Sequence, residues 1–153
     1  MFSKQEASQL RKEFWTAFGQ YMKPVPSADE EKVNWVNYKT GEKNVVFRMD
    51  ATGESASIAI EISHADLGIQ QLYYEQFKEL QNLLNEALGE QWVWELHKAD
   101  PTGKIISRIS KTLEGVSVYN RNDSPALISF FKPRIIALDK FWSEVRYGFE
   151  ALG

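Results

Sequence analysis

The sequence predicts an α+β domain with a single mixed, largely antiparallel sheet of five or six strands packed by three helices. Three observations support this prediction. Amphipathic stretches typical of helices lie near both ends of the chain. Short alternating runs separated by glycine-containing turns fill residues 33–62, as in an antiparallel meander. A helical apolar pattern over residues 66–88 is followed by two or three more β-like runs. The expected order is therefore α-β-β-β-α-β-β-(β)-α.

The first helix is predicted over residues 4–21. Ser3 and Glu6 have the spacing of a capping box, and apolar residues then recur every three or four positions. Pro24 and Pro26 end the helix, because proline fixes φ and disfavours the α region in the residue before it.

Three strands are predicted next, at residues 33–38, 44–50 and 57–63. On the second and third of these, apolar residues alternate with polar ones. We therefore expect Arg48, Asp50 and Glu61 on the face of the sheet that the helices leave free.

One unbroken helix is predicted over residues 66–88, with Ser63 or Asp66 as its N-cap and Gly89 after its last turn. Strands follow at residues 91–98 and 104–109, the latter extending as far as 111, with a turn at 100–103 between them. A sixth short strand is predicted at residues 115–119. The spacing leaves open whether the strands on either side of the helix are adjacent.

The last helix is predicted to run from Ser124, as N-cap, to about Leu152. Pro125 suits the first helical position. Pro133 removes a hydrogen bond inside this helix, so we expect a kink or break near residues 131–132. Residues 1–153 are thus expected to form one domain.

Composition excludes several classes of protein. The 153 residues carry a net charge of −3 and no cysteine, which argues against a disulfide framework, a cysteine nucleophile and a globally basic nucleic-acid binder. No stretch has the length and apolarity of a signal peptide or a spanning helix. The two histidines lack zinc-site spacing. We expect a cytoplasmic protein without cofactor or metal.

The strands that carry charged residues suggest a candidate site. Alternation orients six side chains away from the helices: Arg48, Asp50, Glu61, Glu95, His97 and Arg108. Such a face is usually solvated and stabilised by modest cross-strand pairs. The alternative is a groove in which acidic and basic groups converge on a ligand.

Asp50 and Glu61 raise the hypothesis of a magnesium-dependent nuclease of the PD-(D/E)XK kind. That site needs carboxylates on consecutive strands and a lysine two residues after the second one. Ser63 stands where the lysine should be, so the match to the motif is weak.

Aromatic residues offer another interpretation. Five of them, with Arg48 and Arg108, would suit a platform on which bases stack, although burial statistics favour a role in the core; they are Trp35, Tyr38, Trp92, Trp94 and Tyr119.

Sequence features along nearly the whole chain resemble a bacterial family of domains of unknown function. They are Phe14-Trp15, Ile60-Glu61-Ile62, Ala87-Leu88-Gly89-Glu90, Trp92-x-Trp94-Glu95, Ser107-Arg108-Ile109 and Phe141-Trp142. The resemblance implies a stand-alone protein here, whereas other members lie C-terminal to a PD-(D/E)XK-type nuclease domain. It implies no established activity, and it directs attention to Glu61, Trp94, Glu95, Ser107 and Arg108.

These observations favour a non-enzymatic domain that binds a protein or a nucleic-acid segment in an accessory role. The alternative is a divergent magnesium-dependent nuclease using Asp50 and Glu61, and a third hypothesis is a homodimer formed through exposed aromatic residues. No membrane association is expected. The predicted binding residues are Arg48, Glu61, Trp94, Glu95, Ser107 and Arg108.

Overall fold

A computed structural model describes residues 2–152 and confirms the α+β class. The elements are α1 (Lys4–Met22), β1 (Val45–Ala51), β2 (Ser55–Ile62), α2 (Leu67–Glu79), α3 (Gln81–Leu88), β3 (Val93–Ala99), β4 (Ile105–Glu114) and α4 (Ser124–Val145). Two short 3-10 turns, Arg121–Asp123 and Arg146–Phe149, flank α4. The first helix begins at the predicted capping box, in which Ser3 Oγ accepts from Glu6 N and Glu6 accepts from Ser3 N.

The sheet has four strands in the order β1-β2-β4-β3, and every pair is antiparallel. The prediction of five or six strands in a mixed sheet is therefore wrong, as is the count of three helices, since the described chain has four. β2 and β3 flank β4 and run parallel to each other without touching. The order follows because α2 and α3 carry the chain past the position that β4 later fills.

The predicted strand at residues 33–38 is a turn instead. Its alternating pattern reflects anchoring to other parts of the molecule: Trp35 Nε1 donates to Val25 O (2.9 Å). Asn34 Oδ1 accepts from Val36 N (3.2 Å) and Asn37 N (3.1 Å), so this asparagine closes a turn of the backbone.

The predicted sixth strand at residues 115–119 is a loop that packs on the β1–β2 turn. Gly115 has a φ of 78°, which a strand does not allow, and its N–H donates to Glu54 O. Val118 N donates to Thr52 O at 2.9 Å, and Ser117 N donates to Asp123 Oδ2.

The predicted long helix is divided at Leu80, which has φ −93° and ψ 9°. Asp66 is its N-cap, with Oδ1 accepting from Gly68 N and Ile69 N. Tertiary packing accounts for the break, because α3 packs along α4 while α2 packs on the sheet. No glycine or proline marks this position.

The last helix begins at Ser124, with Asp123 rather than Ser124 as its N-cap, and continues through Pro133. The predicted break is therefore absent. Fully buried Phe131 and Ile135 flank the proline, and their packing outweighs one lost hydrogen bond. The helix ends at Val145, short of Leu152, because the chain tightens into a 3-10 turn that buries Phe149.

The hydrophobic core lies on one side of the sheet. A single cluster of buried residues joins all four α-helices to alternate side chains of the strands, including Phe47, Ile60 and Ile109. Ala59 and Ile106 are buried but lie outside this cluster, because they point to the other side. The described helices thus leave one face of the sheet uncovered, and we call it the outer face.

Candidate functional site

Cross-strand register brings the charged residues of the outer face together. Glu61 on β2 lies opposite Val46 on β1 and opposite Arg108 on β4. Arg108 in turn lies opposite Glu95 on β3. Strands twist only gradually, so residues in register across four strands form one continuous row. Three of the six predicted binding residues therefore lie in one row, Glu61, Glu95 and Arg108, and a fourth, Arg48, lies two residues further along β1 than the Val46 position of that row.

Glu61 binds two arginine side chains, that of Arg108 in this row and that of Arg48 beside it. Arg48 Nε donates to Glu61 Oε1 at 2.8 Å, and Arg108 Nε lies 3.6 Å from Glu61 Oε2. The Glu61 side chain is only 15% exposed, whereas that of Arg48 is 58% exposed. The hydrogen bond that Arg48 donates to Glu61, together with the negative charge of Glu61, raises the pKa of Arg48 above its already high value. One carboxylate thus holds two permanently charged guanidinium groups, each with further N–H donors.

A concave pocket of about 530 Å³ surrounds this cluster. The β3–β4 turn forms one wall, where Asp100 Oδ1 accepts from Thr102 N (2.9 Å) and Lys104 N (3.0 Å). The hydrogen bond from the Thr102 side chain lowers the pKa of Asp100, with further help from these backbone N–H groups. The lining residues are Arg48, Asp50, Ser57, Glu61, Glu95, Lys98, Ala99, Asp100, Pro101, Thr102, Ile106 and Arg108.

A β-bulge in β3 shapes this pocket. Glu95 lies opposite Arg108 and Lys98 lies opposite Ile106, so Leu96 and His97 together oppose one residue of β4. The extra residue brings Lys98 onto the outer face, where it forms an ion pair with Glu95. His97 was predicted on that face, and this is wrong: its ring Nε2 lies 3.0 Å from Leu67 O, at the start of α2.

Ser107 lies on the helix side of the sheet and is fully buried. Its hydroxyl donates to Gln70 Oε1 (2.7 Å) and accepts from His97 N (3.1 Å). Gln70 Nε2 also donates to His64 O and Ile105 O. Ser107 therefore holds the bulge in place and does not line the outer face.

Gln70 is the residue of this network that sequence reasoning missed. It is fully buried on α2, three and seven positions before the buried Tyr73 and Phe77. A glutamine at an apolar position of a helical stripe was the available signal, because a buried amide requires partners.

Trp94 also lies on the helix side of the sheet. Its ring packs edge-on against Tyr74, with centroids 5.7 Å apart, and Lys78 Nζ lies 4.5 Å from its centre. Trp35 and Trp92 are buried, while Tyr38 and Tyr119 pack against the core cluster. The preferred interpretation of these aromatic residues as core is confirmed.

The two residues of the nuclease hypothesis are separated along the sheet. Asp50 lies opposite Ser57, which is four residues from Glu61 on the same strand, or about 13 Å at 3.3 Å per residue. Both carboxylate oxygens of Glu61 already face arginine nitrogens. Within residues 2–152 no three acidic or histidine side chains are grouped to hold a metal ion.

Fold and site together define an α+β protein whose antiparallel sheet is packed on one face and open on the other. The chain belongs to the family described as "Domain of unknown function (DUF4268)", whose family model matches residues 10–146. This confirms the resemblance to a domain of unknown function. No curated protein and no solved structure matches the chain. Among the described helices, none combines the length and apolarity needed to cross a bilayer.

Proposed function

We propose that this chain is a single, non-enzymatic protein-interaction domain that binds a partner protein on its outer face. One observation carries the proposal: the face of the sheet that the described helices leave uncovered has a pocket in which a largely buried carboxylate, Glu61, binds Arg48 and Arg108.

The arrangement suits binding because the arginine side chains are already positioned. Each is oriented through its Nε, so less side-chain freedom is lost when a partner binds. The terminal nitrogens of a guanidinium can engage a partner's carboxylate with two parallel hydrogen bonds. Arginine is also enriched at the centres of protein interfaces.

Charge favours a protein over a nucleic acid as the partner. Three cations line the pocket, Arg48, Lys98 and Arg108, together with four carboxylates. A nucleic-acid backbone would place its phosphates beside carboxylates such as Asp50 and Asp100, at an electrostatic cost. A protein surface with charges of both signs can complement this mixture.

The geometry does not favour the nuclease alternative. Two carboxylates that share one magnesium ion must lie within reach of the same ion, with oxygens about 2.1 Å from it. The register separates Asp50 from Glu61 by four residues along the sheet. An accessory role beside another protein, as the family resemblance suggests, is consistent with the interaction function.

The experiment places a photo-cross-linking amino acid at Thr112, an exposed outer-face position opposite Ser57, and at exposed Glu86 on α3 as the control. We expect one polypeptide to be captured from cells at position 112 and not at 86. That polypeptide is then purified, and its affinity is measured for wild type, Arg108→Gln and the surface control Lys12→Gln. We expect Arg108→Gln alone to weaken binding by about tenfold or more.

Equal capture at both positions, or equal affinity of all three proteins, contradicts the proposal. Magnesium-dependent cleavage of DNA or RNA that is lost in Glu61→Gln would instead establish the nuclease alternative.

A further inference from the structure

A second surface lies along β1, which is an edge strand of the sheet. A groove of about 680 Å³ follows its free side. The segment 36–43 and Trp15 of α1 also line it. The groove is distinct from the outer-face pocket, although Arg48 lines both.

Backbone groups of β1 that point into this groove can be identified from the register. Ser63 N donates to Asn44 O (3.0 Å), and Thr52 N donates to Ser55 O (2.8 Å), so even-numbered residues of this segment face β2. In an antiparallel pair, successive residues direct their backbone N–H and C=O groups alternately towards and away from the partner strand. Odd-numbered residues therefore direct these groups to the free edge.

Within the described chain, three odd-numbered residues of β1 direct backbone groups to the free edge without a partner, and two of them, Phe47 and Met49, line the groove, whereas Ala51 does not. At one end Val45 is already satisfied, since its N–H donates to Glu42 O and its C=O accepts from Thr40 Oγ1 (2.7 Å). At the other end the 115–119 loop packs against the β1–β2 turn, where Val118 N donates to Thr52 O. Within residues 2–152, the backbone N–H and C=O of Phe47 and Met49 have no hydrogen-bond partner.

The two edges of the sheet differ in how they are protected. β3, the opposite edge, is interrupted by the bulge at Leu96–His97. β1 is regular over seven residues and contains neither a bulge nor a proline, which are features that commonly block strand addition. The open positions of β1 thus form a regular template for one more strand.

We propose that the free edge of β1 binds an extended acidic peptide segment of a partner protein by β-strand addition. Donors and acceptors at Phe47 and Met49 would pair with the peptide backbone. Three cations line the groove, Lys39, Lys43 and Arg48, against the single carboxylate of Glu42, in a chain whose net charge is −3. Acidic side chains on the peptide complement this local charge.

Side-chain alternation defines the expected peptide pattern. In an added strand, every second side chain faces the helix side, where Trp15 and Tyr38 border the groove. The intervening side chains lie on the outer-face side beside Arg48. Apolar or aromatic residues alternating with Asp or Glu fit both sides. This inference stands without the proposed function, because it uses a different surface.

The test uses a pool of synthetic peptides, about seven residues long, in which Glu alternates with a mixture of Val, Ile, Leu, Phe and Tyr. A second pool has Lys in place of Glu, and a third has N-methylated backbone at alternate positions. Each pool is passed over the immobilised full chain. We expect peptides from the first pool to be retained about tenfold more than those from either control.

The retained peptides are then added to isotope-labelled protein, and amide hydrogen exchange is followed by NMR. We expect the Phe47 and Met49 amides to exchange about tenfold more slowly in the complex, while Arg48, already paired with β2, changes little. Lys39→Glu combined with Lys43→Glu should weaken binding about tenfold, whereas Lys4→Glu with Lys104→Glu, at exposed positions outside the groove, should not.

Retention of no peptide, or binding that leaves the Phe47 and Met49 amides unprotected, overturns the proposal. Protection of those amides that rises with protein concentration and without peptide also overturns it, because the edge would then pair with a second copy of the chain. Arg48 remains unchanged in all variants, so this test is separate from that of the outer face.

Discussion

Tyr38 donates a 2.5 Å hydrogen bond to Asp139 Oδ1 across 101 residues of chain. The other carboxylate oxygen accepts from Ala28 N at 2.7 Å, and Asp139 is 5% exposed. One turn further along α4, Trp142 Nε1 donates to Thr40 O (2.7 Å). These bonds fasten the irregular segment between α1 and β1 to α4, and that segment forms a wall of the β1 groove.

Tyr38→Phe tests how much this attachment stabilises the fold. The substitution removes the hydroxyl and leaves Asp139 Oδ1 without its donor in a buried position. We expect the free energy of unfolding to fall by about 1–3 kcal/mol, measured by urea denaturation. Tyr21→Phe is the control, because Tyr21 is half exposed and its hydroxyl lies 3.4 Å from Lys132 Nζ. Equal midpoints for the two variants would show that the hydrogen bond contributes nothing.

The same tyrosine predicts a dependence on alkaline pH. Burial raises the pKa of Tyr38 well above its ordinary value, and the hydrogen bond and negative charge of Asp139 raise it further. The folded state holds the Tyr38 proton more tightly than the unfolded state does. The contribution of the protonated tyrosine to the free energy of unfolding is therefore complete below about pH 10, the pKa in the unfolded state, and declines above that pH. We expect unfolding free energy to fall more steeply between pH 9 and pH 11 in wild type than in Tyr38→Phe. Parallel curves would contradict the linkage.

The sequence predicts elements with local signals and misses those that tertiary contacts decide. The capping box of α1 and the turn at residues 100–103 depend on neighbouring side chains, and both form. Residues 33–38 alternate like a strand, yet Trp35 and Tyr38 are spaced to bond Val25 and Asp139. Partners so distant in sequence leave no local signal.

Glu90 and Arg134 connect the α3–β3 turn to α4. Arg134 Nε and Nη2 donate to the two Glu90 oxygens, each at 2.9 Å, and Trp92 Nε1 donates to Oε2 at 2.7 Å. Burial alone raises the pKa of Glu90, but the hydrogen bonds from Arg134 and Trp92 outweigh it and leave the pKa below its ordinary value.

Glu90→Gln should therefore destabilise the protein in a pH-dependent way. The lowered pKa means that the ionised carboxylate stabilises the fold fully above its unfolded pKa, about 4.3, and less as the pH falls below that value. We expect a loss of about 1–2 kcal/mol at pH 7 that narrows towards pH 3, measured by chemical denaturation at each pH. Glu86→Gln, at an exposed position of α3, is the control. A difference in unfolding free energy between wild type and Glu90→Gln that stays constant with pH would refute this role of the Glu90 carboxylate.

Ser107→Ala tests whether the buried serine maintains the bulge. The change leaves Gln70 Oε1 and His97 N without the hydroxyl that joins them. We expect a loss of about 1–3 kcal/mol and a shift of the Lys98 backbone resonances by NMR. Ser110→Ala is a matched control on the same strand, also buried but on the outer face, and should be nearly neutral. If both substitutions cost the same, Ser107 has no special role.

This bulge also explains how far the site could be predicted. Alternation alone correctly places Arg48, Glu61 and Arg108 on the outer face, because β1, β2 and this part of β4 are regular. One inserted residue in β3 puts Lys98 on the outer face in place of His97. The sequence has no glycine at this bulge, because His97 itself adopts the positive φ of 50°. Ser107 directly precedes Arg108 on β4, so its side chain points to the opposite face of the sheet, towards the helices.

Glu61→Gln tests whether the carboxylate of Glu61 organises the arginine cluster. Arg48→Gln should lower the free energy of unfolding by less than about 1 kcal/mol, because the arginine is mostly exposed and solvent screens its pair with Glu61. Glu61→Gln should cost more, since it leaves two guanidinium groups near each other without the carboxylate between them. Urea denaturation of both single variants and the double variant gives the coupling energy of the pair.

Low salt should enlarge the Glu61→Gln effect, because repulsion between the freed charges is then less screened. A Glu61→Gln cost no larger than that of Arg48→Gln at any salt concentration would show that the carboxylate does not organise the cluster.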